Sequence, residues 1–164
     1  MTFTCRAPEP EDLDFIYQLE NIQEHWNASD IHQPLSKEVL KQWLFSGVDV
    51  YASKHLRLII CLNGKSIGCV DLSDIDFYHK HAHVAVLLQK EHRGIGAASY
   101  ALDYLAAYAK NSLDLCNLFA EVSTSNNSSC ALFNKCDYRE IGKRIKARKE
   151  GDKYMDIVIF QRSL

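Results

Sequence analysis

The pair Asn63-Gly64 stands between two apolar runs, Leu56 to Leu62 and Ser66 to Leu72, and it constrains the fold more than any other feature of the chain. Asn-Gly suits a two-residue hairpin turn, so the runs are predicted to pair as antiparallel strands. Ser73 to Lys80 reads as a connecting turn and His81 to Gln89 as a third strand, which gives a three-stranded meander. Ala97, Ala101, Leu102, Leu105, Ala106 and Ala109 then recur at helical spacing between Gly96 and Lys110, and Leu115 to Val122 returns to a strand. A strand-helix-strand crossover from His81 to Val122 would pair those two strands in parallel.

The rest of the chain extends this block on both sides. Phe3 to Arg6 reads as a short strand closed by Pro8 and Pro10, and acids between Glu9 and Asp14 suit the first turn of a helix that runs to Glu20. Ser36 caps a second helix, with Val39, Leu40, Trp43 and Leu44 on its apolar face and Gly47 at its end. Asn126 to Lys135 is a short helix, and Tyr138 to Arg144 with Tyr154 to Gln161 form a closing antiparallel pair joined near Lys149-Glu150-Gly151-Asp152. The expected fold is α+β, a mixed and mostly antiparallel twisted sheet of about seven strands flanked by about four helices. With no repeat, linker or low-complexity stretch, residues 1–164 are expected to form a single domain.

Composition narrows the function classes. Hydrophobic residues at 47% and charged residues at 24% are those of an ordinary soluble domain. No apolar run is long enough to span a membrane and the first residues carry no signal-peptide pattern, so the expected location is cytoplasmic, without a membrane partner. The formal net charge of -2 argues against a nucleic-acid partner. The charge is unevenly spread. Residues 1–30 hold Glu9, Glu11, Asp12, Asp14, Glu20, Glu24 and Asp30 against Arg6, and residues 139–149 hold Arg139, Lys143, Arg144, Lys146, Arg148 and Lys149 against Glu140. These are either two solvated faces or the approaches of a cationic substrate and an anionic cofactor. Six scattered cysteines lack metal-finger spacing, and residues such as Cys61 sit within apolar runs as small hydrophobes.

The chemistry concentrates in residues 86–98, where a strand runs out, Gly94 and Gly96 permit a tight turn, and a helix begins. Free amides at such a helix start attract a phosphate, and bare glycine backbone lets it approach closely. A dinucleotide fingerprint would need a third glycine where Ser99 stands, and the Gly-Lys-Ser/Thr of a phosphate loop is absent. Arg93-Gly94-Ile95-Gly96-Ala97-Ala98 matches the R/Q-x-x-G-x-G/A signature of the GNAT acetyltransferase superfamily. Asn126 to Tyr138 resembles that superfamily's N-x-x-S-x-x-L-Y-x-K-x-G-F segment, in the right order and spacing. The likeness covers nearly the whole chain. It is nearest the spermidine and diamine N-acetyltransferases and the related ribosomal-protein N-terminal acetyltransferases, through Gly68 to Asp76, His79 to Ala82 and Ile159-Phe160-Gln161.

The resemblance implies a GNAT-like fold and an enzyme that moves an acetyl group directly from acetyl-CoA to a primary amine. A polyamine or another small cationic amine is preferred as acceptor to a protein N-terminus. It implies that backbone groups of Val86, Leu87 and Leu88 meet the pantetheine arm and that an amide near Leu87 or Leu88 polarises the thioester carbonyl. Amides of Arg93, Gly94, Ile95, Gly96, Ala97, Ala98 and Ser99 would wrap the pyrophosphate, and Asn126 would touch the cofactor near the thioester. Lys135 either meets a phosphate or is a solvated helix residue. The branch is often multimeric, so a homo-oligomer is an open expectation.

The sequence departs from the pattern at the acid. Phe133 stands where the family carries a tyrosine, and Asp137 where it carries a glycine. Ser129 is the candidate replacement, relaying a proton or hydrogen-bonding the sulfur, or else it is a helix-start residue bonded to the backbone. His83 is the candidate base, since it opens the strand bearing the thioester site, or else a histidine at a polar sheet edge. Asp71, Asp74, Glu38 and Trp26 are candidates for the acceptor site, with Glu24 and Asp30 as further acidic counterparts. Two rivals stand beside the transferase. One is a non-catalytic acyl-CoA-binding sensor or interaction module on the same fold, kept open by Phe133. The other is a metal or nucleic-acid binder built on His79, His81 and His83 or on the basic stretch. The Ser73–Lys80 turn breaks the histidine alternation and no fourth ligand is evident, so no metal is expected.

Overall fold

A computed structural model describes residues 1–26, 33–46 and 49–164, with the side chains of residues 25, 26, 45 and 46 outside the description. The strands are β1 (Phe3–Arg6), β2 (Leu56–Leu62), β3 (Lys65–Asp76), β4 (His81–Leu88), β5 (Asn117–Ser123), β6 (Arg139–Glu150) and β7 (Lys153–Ser163). They form one seven-stranded sheet in the order β1-β2-β3-β4-β5-β7-β6. Only the β4–β5 pair is parallel; the others are antiparallel. The helices are α1 (Leu13–Glu20), α2 (Gln23–Trp26), α3 (Lys37–Ser46), α4 (Val50–Ser53), α5 (Ala97–Leu113) and α6 (Asn127–Lys135). The four longer ones are those the sequence predicts, while α2 and α4 are single turns too short to show a periodicity. The acids after Pro10 first make a 3-10 turn, Pro10–Asp12, before α1 proper.

The hairpin forms as its turn residues require. Asn63 and Gly64 take φ values of 49° and 83°, both left-handed, so the β2–β3 pair closes without strain. The return strand is longer than expected. A bulge between Ser73 and Asp76, with Asp74 at φ 48°, carries β3 onward so that Ile75 still enters the core. The Asp76 carboxylate accepts from the Tyr78 and His79 amides at 2.9 and 2.7 Å, which shortens the connecting turn to residues 77–80. β6 also runs past its expected end at Arg144, through two register shifts, to Glu150. As the exposed edge strand it needs no apolar alternation, and its basic side chains guard it against pairing with another chain.

Strand alternation splits the core into two layers. Ala82, Val84 and Leu88 of β4, with Leu118, Ala120 and Val122 of β5, face α5 through Ala101, Leu102, Leu105 and Ala109. On the opposite face, Ile59, Cys61 and Cys69 meet Ile16 and Leu19 of α1 and Leu40 of α3. Each such aliphatic side chain contributes about 1.5–3 kcal/mol by leaving water. Cys61 and Cys69 act as small core residues, with the Cys69 thiol pushed up to about 12 by burial, whereas Cys116 is exposed. Among the described residues no helix is long and apolar enough to cross a membrane.

Two arginines fasten the α1 side of the sheet through ion pairs. Arg6 holds buried Asp12 at 2.6 Å, and this keeps the Asp12 carboxyl below its ordinary range. Arg57 of β2 lies beneath α1 and α3, bidentate to Asp71 at 2.7 and 2.7 Å and bonded to Glu20 at 2.5 Å, with its guanidinium 4.3 Å from the Trp43 ring centroid. Its two carboxylates outweigh the desolvation that would favour a neutral guanidine, so it stays charged. Removing one member of such a buried set typically costs about 3–5 kcal/mol, because a charge is left without its partner.

Candidate active site

β4 and β5 pair only over His81–His83 and Asn117–Phe119, although β4 continues to Leu88 and β5 to Ser123. Beyond that point they part, and the gap is the central feature of the molecule. The Gln89 amide donates to Ile67 O at 3.0 Å, so by alternation Leu87 and Ala85 direct their backbone groups to β3. Val86 and Leu88 therefore turn their N–H and C=O toward the gap. Of the two amides expected to polarise a carbonyl, that of Leu88 faces the gap, beside that of Val86; Leu87 lines the gap, but its amide faces β3. Gly68 permits this arrangement, since a Cβ there would lie 2.3 Å from Leu87 O.

One cavity of about 480 Å³ fills the gap from the α5 side. Its lining includes Val86, Leu87, Leu88, Arg93, Gly94, Gly96, Ala97, Ala98, Ser99 and Asn126, which are the expected cofactor residues with one exception. Ile95 is the exception: its side chain turns inward and packs against the main core. Gly94 and Gly96 take φ values of 76° and 91° with open space before both, a bare cradle that a side chain would fill. The first intrahelical donor of α5 is the Tyr100 amide, bonded to Gly96 O at 3.0 Å. The amides of Ala97, Ala98 and Ser99 are thus left without helical acceptors, and no side chain among the described residues caps them. Arg93 reaches back to Leu88 O at 3.4 Å, and Lys135 stands on the cavity wall. Donors and dipole converge on one point, which fits a pyrophosphate.

A second cavity, of about 310 Å³, opens from the same gap. It is lined by Glu24, Glu121 and Glu150, with Arg148 as its basic residue, and by Val84, Ala85, Val86, Ser123, Ser125 and Phe133 among others. Glu121 is paired with Arg144 and Glu24 lies 3.9 Å from Lys90. Glu150 is bonded to hydroxyls instead, accepting from Ser123 at 2.6 Å and Ser125 at 2.8 Å. The two cavities share Glu24, Val86, Asn126 and Ser129, so a group at that junction touches both.

Ser129 sits at this junction, half-buried. The α6 cap is Asn126, whose Oδ1 accepts from the Ser129 amide at 3.1 Å and the Ser128 hydroxyl at 2.9 Å. Ser129 Oγ makes no hydrogen bond among the described residues, so it is available to a ligand and is not the backbone cap. Phe133 borders the second cavity and packs on Tyr138 and Phe160 at 5.0 and 5.9 Å between ring centroids. Tyr138 supplies no acid here. Its hydroxyl is buried in the core, lines neither cavity, and has its pKa pushed up by burial against the opposing effect of Arg162.

Several expected residues lie elsewhere. His83 belongs to the paired part of β4, opposite Ser73 and Phe119, with its ring 5.9 Å from that of Phe119, and lines neither cavity. Asp71 has both oxygens engaged by Arg57. Asp74 is exposed on the β3 bulge, and Glu38 accepts from Gln42 on α3; neither lines either of these two cavities. The Trp26 side chain and Asp30 lie outside the described residues. His79 falls in the turn, which leaves only His81 and His83 of the histidine series on one strand face. Sequence reasoning missed Glu121, Glu150, Ser123 and Ser125. The alternation of Phe119 and Glu121 against buried Leu118, Ala120 and Val122 does mark the first, but Glu150 closes a basic run that reads as solvated surface.

Comparison with known proteins agrees with this architecture. A family model described as an acetyltransferase (GNAT) domain matches residues 3–139. The spermidine N(1)-acetyltransferase of Vibrio cholerae serotype O1 is 25% identical over 164 residues, spanning 94% of this chain and 88% of that protein. Its namesake from Escherichia coli strain K12 is 24% identical over 136 residues, spanning 81% and 70%. A crystal structure of spermidine N-acetyltransferase from Vibrio cholerae in complex with CoA and spermine shares the fold, with a TM-score of 0.89 at 22% identity over 98% of this chain and 95% of that one.

Proposed function

The chain belongs to the GNAT acetyltransferase family, and we propose that, as a single domain, it acetylates a primary amine of a polyamine or similar small cation with acetyl-CoA. The observation that carries this reading is the meeting of an anion-binding cavity and an acidic cavity at Val86, Asn126 and Ser129. The likeness to two spermidine acetyltransferases supports the choice of acceptor.

Acetyl-CoA supplies an activated thioester carbonyl. The amides of Ala97, Ala98 and Ser99 with the Gly94–Gly96 cradle bind its pyrophosphate, and Val86 and Leu88 hold the pantetheine arm. Their gap-facing amides lie ready to stabilise negative charge developing on a carbonyl oxygen. Glu24, Glu121 and Glu150 draw the cationic acceptor into the second cavity. Ser129 Oγ would donate a hydrogen bond to the departing sulfur in place of the hydroxyl that Phe133 lacks, the thiolate taking its proton from water. The acceptor ammonium would give up its proton to bulk water through the acidic cavity before the amine attacks, and His83 takes no part because it lines neither pocket.

Mixing the purified protein with acetyl-CoA and a panel of polyamines, monoamines, amino acids and short peptides, with free thiol followed in time, tests the proposal. Thiol release is expected with the polyamines foremost. Phe133 favours a second reading, an acyl-CoA sensor, which predicts CoA binding with no thiol release for any amine.

A further inference from the structure

The net charge of -2 conceals a segregation that the fold makes physical. A small sum argues against a polyanionic partner only when the charge is evenly spread. β1 and β6 are the two edges of the sheet. The segment after β1 exposes Glu9, Glu11 and Asp14, whereas β6 and the start of β7 expose Arg139, Lys143, Arg144, Lys146, Lys149 and Lys153. Lys143 is paired with Glu140 and Arg144 with Glu121. Arg139, Lys146, Lys149 and Lys153 make no ion pair among the described residues. The remaining acids of the hairpin offset only part of this. Glu150 turns to Ser123 and Ser125, Asp156 accepts from the Lys146 amide at 2.8 Å, and Asp152 is exposed at the turn.

We propose that this edge is a docking surface for the phosphate backbone of a nucleic acid. The cations follow a strand of 12 residues, so they form a ridge up to about 40 Å long at about 3.3 Å per residue. Such a ridge matches a linear polyanion better than a flat lipid surface. Ile141 and Ile145, exposed where the strand bulges, are too few to seat it among acyl chains. The register shifts at Glu140/Gly142 and Arg144/Arg148 bend the free edge, so an acidic peptide cannot add to it as a continuous strand. A second copy of β6 is repelled by like charge. What remains is side-chain charge, the sequence-independent means by which proteins hold phosphates.

The ridge adjoins the acidic cavity. Arg148 and Glu150 line that cavity, and Lys149 between them points the opposite way by strand alternation. Polyanions hold cations as condensed counterions and release them where a protein's lysines take their place. Resting on the transferase reading above, docking therefore frees polyamine counterions beside the cavity that receives them.

A labelled DNA duplex of mixed sequence, titrated with the protein and followed by fluorescence anisotropy, tests this. Binding is expected to weaken about a hundredfold between about 50 and about 200 mM salt, the dependence for about four phosphate contacts. Joint replacement by Lys146→Gln, Lys149→Gln and Lys153→Gln is expected to remove most of that dependence and to weaken low-salt binding at least about tenfold. Circular dichroism, and thiol release with free spermidine, should stay as in the wild type. Should the triple variant not fold, Lys149→Gln alone is expected to reduce the log–log salt slope by about one. No binding at low salt overturns the proposal, as does a folded variant that binds as tightly as the wild type. Displacement by phosphatidylserine vesicles or polyglutamate as effective as that by unlabelled duplex, at equal charge, also overturns it and assigns the edge to a membrane or an acidic protein. Duplex binding without thiol release for any amine supports the docking surface and removes the transferase reading, whereas thiol release without duplex binding does the converse.

Discussion

The two cavities that meet at Ser129 are built in different ways. The proposed cofactor side is made of backbone: glycines in left-handed conformation, the bare first turn of α5, and strand amides that face a gap. Most of it comes from one contiguous stretch, residues 86–99. The proposed acceptor side is made of side chains, with carboxylates contributed by α2, β5 and the far end of β6, which are remote from one another in the chain. A phosphate site of this kind tolerates side-chain change but not loss of conformation. A side-chain site can be retuned one charge at a time without touching the fold.

The largest effect should come from breaking the backbone cavity. At Gly96 the φ of 91° strains any L side chain, and valine would also fill the open space before it. Gly96→Val is expected to weaken CoA binding by about a hundredfold in calorimetry, with the fold retained by circular dichroism. Binding within a few-fold of the wild type would mean that the cradle is not where the phosphates sit. A smaller effect is expected at the junction. Ser129→Ala should lower kcat by about tenfold, less than the roughly hundredfold or more that a proton-transferring acid contributes, because the hydroxyl only hydrogen-bonds the sulfur, with CoA affinity retained. A loss in CoA affinity in place of kcat would assign Ser129 to the cofactor side alone.

The same contrast explains what could be read from the sequence. Asn63-Gly64, the apolar strands and the α5 periodicity specify local geometry, and the hairpin, the parallel crossover and the glycine turn all formed as those residues require. The residues of the glycine-lined cavity were legible because their signal is local. The acidic lining was not, because strand register and a bulged edge strand decide which glutamates meet. Glu150 reaches Ser123 only because β6 runs to the hairpin end, past two register shifts that the basic run from Arg139 to Lys149 does not announce. Asp71 misled for a related reason. Its partner Arg57 lies directly opposite on β2, a pairing visible only once the register is known, and the pair holds α1 in place instead of binding a ligand. His83 likewise precedes the point at which β4 and β5 part, and that point has no mark in the sequence.

The central claim is that the two cavities are one reaction site joined at Val86, Asn126 and Ser129. A conjugate in which the CoA sulfur is linked through an acetyl bridge to a terminal amine of spermidine spans both, and its affinity can be measured by calorimetry beside that of CoA alone. If the cavities are joined as described, the conjugate binds at least about a hundredfold more tightly than CoA, since the second half binds without a separate entropic cost. An affinity no better than that of CoA would contradict the account, because the spermidine arm would then have no acidic cavity to enter.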